Sequence, residues 1–104
     1  MAIPEVSVDE LAALLPTGIR LIDVREPDEY AAGRVPGAVL IPLGSVPDQV
    51  DAFRGEGPTY VICARGARSR NAAEYVAATA GIDAVNVAGG TLAWIAAGHP
   101  TDVG

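Results

Sequence analysis

The sequence predicts an α/β domain with a parallel sheet, in which short buried strands are separated by helices. Two observations support this prediction. Runs of four or five mainly apolar residues, often β-branched, recur along the chain, and each run is too short for a stable helix. Between these runs lie segments with helical spacing of apolar residues, capping residues and glycine or proline stops. Because strands that alternate with helices pair in parallel through crossovers, we expect helices on both faces of the sheet.

The first half of the chain is predicted to contain two helices and two strands. Ser7 and Glu10 fit a capping box, and the leucines that follow form the apolar stripe of a helix that a Pro-Thr-Gly turn ends. Residues 20–24 form a short apolar strand. Residues 27–30 begin a short helix, with proline first and acidic residues near its positive end. Residues 38–41 form the next strand, which a proline ends.

The second half of the chain continues this alternation. A serine can cap a helix over residues 45–53, and residues 59–62 form a buried strand by their β-branched content. Residues 69–80 are predicted as the longest helix, which a glycine ends. A strand over residues 84–87 and a last helix over residues 91–97 complete the pattern.

Length and charge restrict the possible functions. The 104 residues fit a single domain spanning residues 1–104. Thirteen acidic residues against seven arginines give a net charge of −6, which argues against a nucleic-acid partner, because nucleic-acid binding depends on basic residues. No apolar run approaches the roughly 18 residues of a membrane span, so we expect no membrane partner. The first residues lack the basic and apolar parts of a secretory signal, so we expect a cytoplasmic protein.

The chain has one cysteine, Cys63, and one histidine, His99. Together they cannot form an internal disulfide or a four-ligand structural zinc site, so we expect no metal and no cofactor. Three of the seven arginines lie within six positions, at 65, 68 and 70. In an acidic chain, this local concentration of positive charge predicts a site for a small anion.

Cys63 follows a predicted strand and begins a short loop that leads into the longest predicted helix; we call residues 63–69 the cysteine loop. Such a loop turns backbone N–H groups inward, and the helix adds unpaired N–H groups and its positive dipole end. Gly66 permits a positive φ, and Arg65 and Arg68 add two charges, so the thiol is expected to lose its proton easily. We therefore predict that Cys63 is catalytic. The predicted substrate-binding residues are Ala64, Arg65, Gly66, Ala67, Arg68 and Ser69.

Outside the cysteine loop, Asp23 ends a strand and is expected to be the buried partner of an arginine that supports the site. Arg25 and Arg68 are both candidates for that partner, and we predict supporting roles for Asp23 and Arg25. Trp94 is expected in the core. Arg65 has a competing interpretation as a solvated surface charge.

The chain resembles the rhodanese family over nearly its whole length. Four motifs carry the resemblance, in order: residues 21–26 with 29–30, 33–38 with 41–42, 63–69, and 89–94. Each motif is weak alone, whereas four in order at suitable spacing are specific. The resemblance implies a rhodanese-like three-layer α/β/α fold with a five-stranded parallel sheet of order 3-2-4-5-1. It also implies that Cys63 carries sulfur as a persulfide.

The activity that this resemblance implies is a thiosulfate-type sulfurtransferase. Cys63 would take the outer sulfur of thiosulfate or a similar donor, and a thiophilic acceptor would then remove it. The expected acceptors are cyanide, a thiol or a sulfur-accepting protein. The alternative is a non-enzymatic sulfur-relay or binding module whose persulfide is loaded by a protein partner.

Two residues depart from the family's pattern. Arg34 stands where the family usually has histidine, and Ala64 stands where many active members have arginine, which removes one cation from the loop. Loop length also separates the chain from cysteine phosphatases of similar architecture. Four residues lie between Cys63 and Arg68, whereas those enzymes resemble Cys-X5-Arg. We therefore rank a phosphatase low.

Overall fold

The computed structural model describes residues 2–104 as an α/β domain with five strands and four α-helices. The strands are β1 (Glu5–Val6), β2 (Arg20–Asp23), β3 (Val39–Leu40), β4 (Thr59–Ile62) and β5 (Ala84–Val87). The helices are α1 (Val8–Leu14), α2 (Pro27–Ala32), α3 (Ala67–Ala80) and α4 (Gly90–Ala96). All strand pairs are parallel, and the order β3-β2-β4-β5-β1 confirms the predicted sheet. Within residues 2–104, no helix is long and apolar enough to cross a membrane.

Apolar side chains on the two faces of the sheet form two cores. In β2, Ile22 packs in the cluster that contains Val76 of α3, whereas its neighbour Leu21 packs in the cluster that contains Leu11 of α1 and Trp94 of α4. This alternation follows from the two-residue period of a strand. Leu11 is completely buried, which stabilises the fold by about 1.5–3 kcal/mol. Trp94 is 2% exposed, which confirms its predicted place in the core.

The start of α1 follows the predicted capping box. The N–H of Glu10 donates to the hydroxyl of Ser7 at 3.1 Å, and the N–H of Ser7 donates to the Glu10 carboxylate at 2.9 Å. Two backbone donors that the helix itself cannot satisfy are thereby paired. The predicted stop of the longest helix is also observed, because Gly81 follows α3 with a φ of +65°.

The segment predicted as a helix over residues 45–53 differs from the prediction. It consists of two 3₁₀ helices, Leu43–Asp48 and Val50–Phe53. Gln49 lies between them with φ −129° and ψ 30°, outside the helical region, so no single helix spans the segment. Ser45 therefore lies within a 3₁₀ helix instead of capping an α-helix.

The carboxyl ends of β4 and β5 bring two loops into contact. Cys63 follows β4, and its carbonyl accepts the N–H of Thr91 at 2.8 Å, while the carbonyl of Ala64 accepts the N–H of Leu92 at 3.1 Å. A β-carbon on Gly90 would lie 2.5 Å from the Ala64 oxygen, so this close approach requires glycine. The cysteine loop is thus held at the edge of the sheet where parallel α/β folds bind ligands.

Candidate active site

Hydrogen-bond donors surround the sulfur of Cys63, a residue that is only 1% exposed. Its Sγ accepts the N–H of Gly66 at 3.0 Å and lies within hydrogen-bond distance, 3.3 Å, of the Ser69 hydroxyl oxygen. Ala67, the next residue after Gly66, begins the 14-residue helix α3, so the positive end of a long helix lies beside the thiol. Each of these features favours a negative charge on the sulfur.

The pKa of the Cys63 thiol reflects two opposing effects. Burial raises this pKa, because it disfavours the charged form. Hydrogen bonds from the Ser69 hydroxyl and from the backbone N–H groups of Ser69, Gly66 and Arg65 outweigh burial, so the pKa lies below its ordinary value. The fraction of thiolate at neutral pH therefore exceeds that of a free cysteine, in the direction expected from the loop sequence.

Gly66 gives the cysteine loop its shape. Its backbone has φ +108° and ψ −12°, a conformation that residues with a β-carbon rarely adopt. A β-carbon there would find its nearest neighbour, the Gly89 nitrogen, at 3.5 Å, which is an ordinary contact. The positive φ is therefore what requires glycine, as the sequence predicted.

The three clustered arginines have different surroundings. Arg68 donates two hydrogen bonds to the carboxylate of Glu29 on α2, at 2.8 and 2.9 Å. Arg70 forms an ion pair with Glu5 of β1. Arg65 is exposed, and no carboxylate among residues 2–104 lies within ion-pair distance of it. Of the three, Arg65 is thus the one whose charge is not already compensated.

The cavity beside the cysteine loop has a volume of about 270 Å³. Arg65, Gly66, Arg70 and Asn86 are among its lining residues, and Cys63 is not. Arg65, predicted to bind substrate, therefore lines an open space at the cysteine loop. Among residues 2–104, the side chain within hydrogen-bond distance of the Cys63 sulfur belongs to Ser69, and the Arg65 guanidinium is not within that distance.

The contact between Arg68 and Glu29 changes the expected surroundings of Arg68. The sequence had suggested Asp23 as one possible partner for Arg68, and the structure instead shows Glu29 in that place. The Arg68 hydrogen bonds, followed by the N–H of Glu26, lower the pKa of Glu29 to about 2. Glu29 is therefore fully ionised at neutral pH and neutralises one of the two loop cations.

Asp23 forms its ion pair with Arg25, which settles the choice that the sequence left open. Asp23 is fully buried and Arg25 is 5% exposed. The guanidinium donates to the two carboxylate oxygens at 3.0 and 2.8 Å and to the carbonyl of Gly33 at 2.9 Å, and the backbone N–H of Arg25 donates to Asp23 at 3.0 Å. Two buried charges are thereby compensated. That the pair supports the site remains a prediction.

Asn86 of β5 is a site residue that the sequence analysis missed. It is fully buried, and its Nδ2 donates to the carbonyl of Gly66 at 3.1 Å and to the Glu5 carboxylate at 2.8 Å. Its Oδ1 accepts the hydroxyl of Ser69 at 2.5 Å. The signal was present, because an asparagine between two valines in a strand that is buried on both faces must find polar partners.

The other residues considered from sequence contribute less to the surroundings of the thiol. Ala64 is half-buried and Ala67 is exposed, and neither side chain carries a polar group. Arg34 is engaged elsewhere, with its guanidinium 4.5 Å from the centre of the Tyr30 ring and a hydrogen bond to the carbonyl of Gly104 at 2.8 Å. Arg34 therefore stabilises the packing of the C-terminal residues against α2.

Comparisons with known proteins agree on one kind of domain. The family model described as the rhodanese-like domain matches residues 7–97. A rhodanese-like domain protein from Staphylococcus aureus, whose crystal structure is known, is 37% identical and superposes with a TM-score of 0.86. The match covers 98% of this chain and 99% of that chain.

Two bacterial relatives are similar over most of their own length. A Bacillus subtilis protein whose name describes it as a candidate sulfurtransferase is 40% identical over 74 residues, 71% of each chain. A thiosulfate sulfurtransferase from Pseudomonas entomophila is 32% identical over 89 residues, which are 86% of this chain and 82% of that protein.

Proposed function

The chain belongs to the rhodanese family, and we propose that it is a sulfurtransferase that carries sulfur on Cys63 as a persulfide. One observation carries the proposal. The sulfur of the single cysteine accepts the N–H of Gly66 and lies within hydrogen-bond distance of the Ser69 hydroxyl, beside the positive end of α3. This arrangement favours an anionic sulfur, which is what attack on a sulfur donor requires.

The first half-reaction loads the cysteine. The Cys63 thiolate attacks the outer sulfur of thiosulfate, a new S–S bond forms, and the bond between the two sulfurs of the donor breaks. Sulfite leaves with the electron pair of that bond as a dianion, and the single negative charge of the thiolate moves to the outer sulfur of the persulfide. The N–H groups and the dipole of α3 then stabilise that charge.

The second half-reaction removes the outer sulfur from the Cys63 persulfide. A thiophilic acceptor attacks the outer sulfur, the S–S bond of the persulfide breaks, and the Cys63 thiolate is regenerated. With cyanide as the acceptor the product is thiocyanate, so the enzyme returns to its starting charge and protonation. Neither half-reaction requires an external oxidant or reductant.

We propose thiosulfate as the donor because of Arg65. Thiosulfate is a dianion, and among the clustered arginines Arg65 is the one that has no carboxylate partner within the described residues. The name of the Pseudomonas entomophila relative points the same way. A charge-assisted hydrogen bond from Arg65 should contribute about 1.5–3 kcal/mol, which is roughly ten- to a hundredfold in kcat/KM.

A sulfur-relay module is the second candidate, and one feature favours it. Glu29 neutralises Arg68, so that the loop offers a free donor fewer cations than the sequence suggests. In this alternative a protein partner loads the persulfide, and free thiosulfate reacts slowly.

The decisive experiment is intact-mass measurement of the purified protein before thiosulfate, after thiosulfate, and after subsequent cyanide. We expect the mass of one added sulfur atom with thiosulfate and its loss with cyanide, and no addition to Cys63→Ser. An unchanged wild-type mass would exclude loading by thiosulfate and leave the relay module. Transfer activity that survives in Cys63→Ser would refute both candidates.

The role of Arg65 is tested by steady-state kinetics of Arg65→Ala with thiosulfate. We expect kcat/KM to fall ten- to a hundredfold, mainly through KM, because the side chain binds the donor without taking part in bond exchange. The matched control is Arg54→Ala, since Arg54 is an exposed arginine outside the cysteine loop. A change within a factor of two for Arg65→Ala would show that Arg65 is a solvated surface charge.

A further inference from the structure

Ser69 lies between two acceptors and has one hydroxyl proton. Its Oγ is 3.3 Å from the Sγ of Cys63 and 2.5 Å from the Oδ1 of Asn86. Ser69 and Asn86 are fully buried, and Cys63 is 1% exposed. Because a hydroxyl donates one hydrogen bond at a time, Ser69 can serve either the thiol sulfur or the amide oxygen in full, but not both.

The orientation of the Asn86 amide is fixed by the two acceptors of its nitrogen. Its Nδ2 lies 3.1 Å from the carbonyl of Gly66 and 2.8 Å from the carboxylate of Glu5, and both partners can only accept. Rotating the amide by half a turn would place its oxygen against two acceptors. The Oδ1 therefore faces Ser69, and it needs the Ser69 proton to be satisfied.

The protonation state of Cys63 decides whether the network is complete. With Cys63 as a thiol, the S–H donates to Ser69, the Ser69 hydroxyl donates to Asn86, and every group in the chain has a partner. Once Cys63 loses its proton, the thiolate and the Asn86 oxygen both need the same hydroxyl proton. One of two buried acceptors then loses a donor.

We propose that Asn86 is a positioning residue that competes with the Cys63 thiolate for the hydroxyl proton of Ser69 and so sets the reactivity of this thiolate. Asn86 acts through Ser69 and touches no substrate. A thiolate that receives less hydrogen bonding is a stronger nucleophile, because nucleophilicity rises with the pKa of the thiol. The competition therefore gives up some thiolate population and increases the reactivity of the thiolate that forms.

The same network distinguishes the loaded from the unloaded state, a consequence that rests on the proposed function. In a persulfide the negative charge lies on the outer sulfur, and Sγ is a neutral, weak acceptor. Ser69 can then donate fully to Asn86 again, as it does beside the thiol. The network is thus incomplete beside the free thiolate and complete beside the persulfide, which favours loading.

Several charged residues lie on the elements around Cys63, so their pairing matters when the pKa of Cys63 is measured. Six charged residues on or near the elements that hold the cysteine loop form three ion pairs, whereas Arg65 has no ion-pair partner among residues 2–104. The ion pairs are Glu5 with Arg70, Asp23 with Arg25, and Glu29 with Arg68. The arginine partners lower the pKa values of Glu5 and Glu29, so neither carboxylate titrates between pH 5 and 10, the range over which the alkylation rate of Cys63 is followed.

The test is a double-mutant cycle on the pKa of Cys63, measured from the rate of alkylation by iodoacetamide against pH. The four proteins are the wild type, Ser69→Ala, Asn86→Ala and the double variant. Removing Asn86 frees Ser69 to serve the thiolate, which lowers the pKa when Ser69 is present. It also removes the donor to the Gly66 carbonyl, which acts in both backgrounds.

We expect the change in pKa caused by Asn86→Ala to be more negative, by about 0.5 or more, with Ser69 present than in the Ser69→Ala background. Equal changes in the two backgrounds, or a difference of opposite sign, would overturn the proposal. An Asn86 that merely supports the loop gives equal changes.

The single variant Ser69→Ala keeps the proposal testable if Asn86→Ala does not fold, as judged by near-UV circular dichroism. Because the Ser69 hydroxyl lowers the pKa of Cys63 but shares its one proton between the thiolate and Asn86, we expect Ser69→Ala to raise this pKa by less than about 0.5. A larger rise would overturn the competition. Alkylation uses no sulfur donor, so a protein that fails to load sulfur refutes the proposed function and leaves this inference to stand or fall on its own.

Discussion

Replacing Glu29 with glutamine tests the ion pair that neutralises Arg68. The wild-type carboxylate receives hydrogen bonds of 2.8 and 2.9 Å from the Arg68 guanidinium and a third, of 3.0 Å, from the N–H of Glu26. Glutamine has nearly the same shape, and its amide oxygen can still accept the Glu26 N–H. The substitution therefore removes mainly the charge.

The magnitude follows from the pKa of Glu29. Hydrogen bonds from Arg68, then from the N–H of Glu26, lower this pKa from 4.5 to about 2. A difference of about 2.5 corresponds to roughly 3.4 kcal/mol at about 1.36 kcal/mol for each pKa unit. The two side chains are 36% and 32% exposed, so solvent screens the pair. We therefore expect Glu29→Gln to lower the free energy of unfolding at pH 7 by about 1 kcal/mol.

The dependence on pH has a definite sign. Because the folded-state pKa of Glu29 is depressed, its contribution is fully present above pH 4.5 and is lost as the pH falls towards 2. The assay is urea denaturation of the wild type and Glu29→Gln at several values between pH 7 and 2.5. The difference in the free energy of unfolding should shrink across that range.

A matched control is Asp28→Asn, since Asp28 is an exposed acid in the same first turn of α2. Its removal should change stability by less than about 0.5 kcal/mol at either extreme of pH. Two results would show that the ion pair of Glu29 with Arg68 does not stabilise the fold as described. One is a variant as stable as the wild type at pH 7, and the other is a difference that stays constant down to pH 2.5.

Three further substitutions test other contacts by urea or thermal denaturation. Gly66→Ala should lower the free energy of unfolding by about 1–3 kcal/mol, because Gly66 has a positive φ. The control Gly44→Ala, at an open position without positive φ, should change it little, and equal effects of the two substitutions would contradict this account. Asp23→Asn leaves the buried Arg25 without a counter-charge and should cost about 3–5 kcal/mol, and a loss below 1 kcal/mol would show that the pair is unimportant. The Thr91 hydroxyl is buried and has no partner within residues 2–104, so Thr91→Val should be neutral or stabilise by up to about 1 kcal/mol; a clear loss would reveal a partner.

Elements with local signals were predictable from the sequence. Ser7 and Glu10 mark the start of α1 because capping involves residues three positions apart. Strand β1 was not predicted from its own residues. It is only two residues long and exists because it pairs with β5, and no local pattern records such a pairing. The α-helix expected over residues 45–53 is replaced by two 3₁₀ helices, because the backbone of Gln49 between them is not helical.

At the site too, features set by neighbouring residues were predictable from the sequence, and features set by distant residues were not. The loop conformation at Gly66 and the lowered pKa of Cys63 follow from a strand, a loop and a helix that are consecutive in the chain. The partner of Arg68 lies 39 residues away, so the sequence could not choose between an ion pair and a substrate contact. Asn86 was missed because its partners come from two other parts of the chain, β1 and the cysteine loop.

The distance between these partners has a consequence for how the protein is made. Asn86 is 81 residues from Glu5 and 20 residues beyond Gly66, and both contacts form only when β5 lies between β4 and β1. During synthesis from the N-terminus, β4 and Cys63 emerge before β5 exists. A nascent chain of that length contains the cysteine loop but lacks Asn86, which binds the Gly66 carbonyl and the Ser69 hydroxyl in the folded protein. Insertion of β5 is thus the step of folding that completes the hydrogen bonds behind the cysteine loop and joins it to β1 at the other end of the chain.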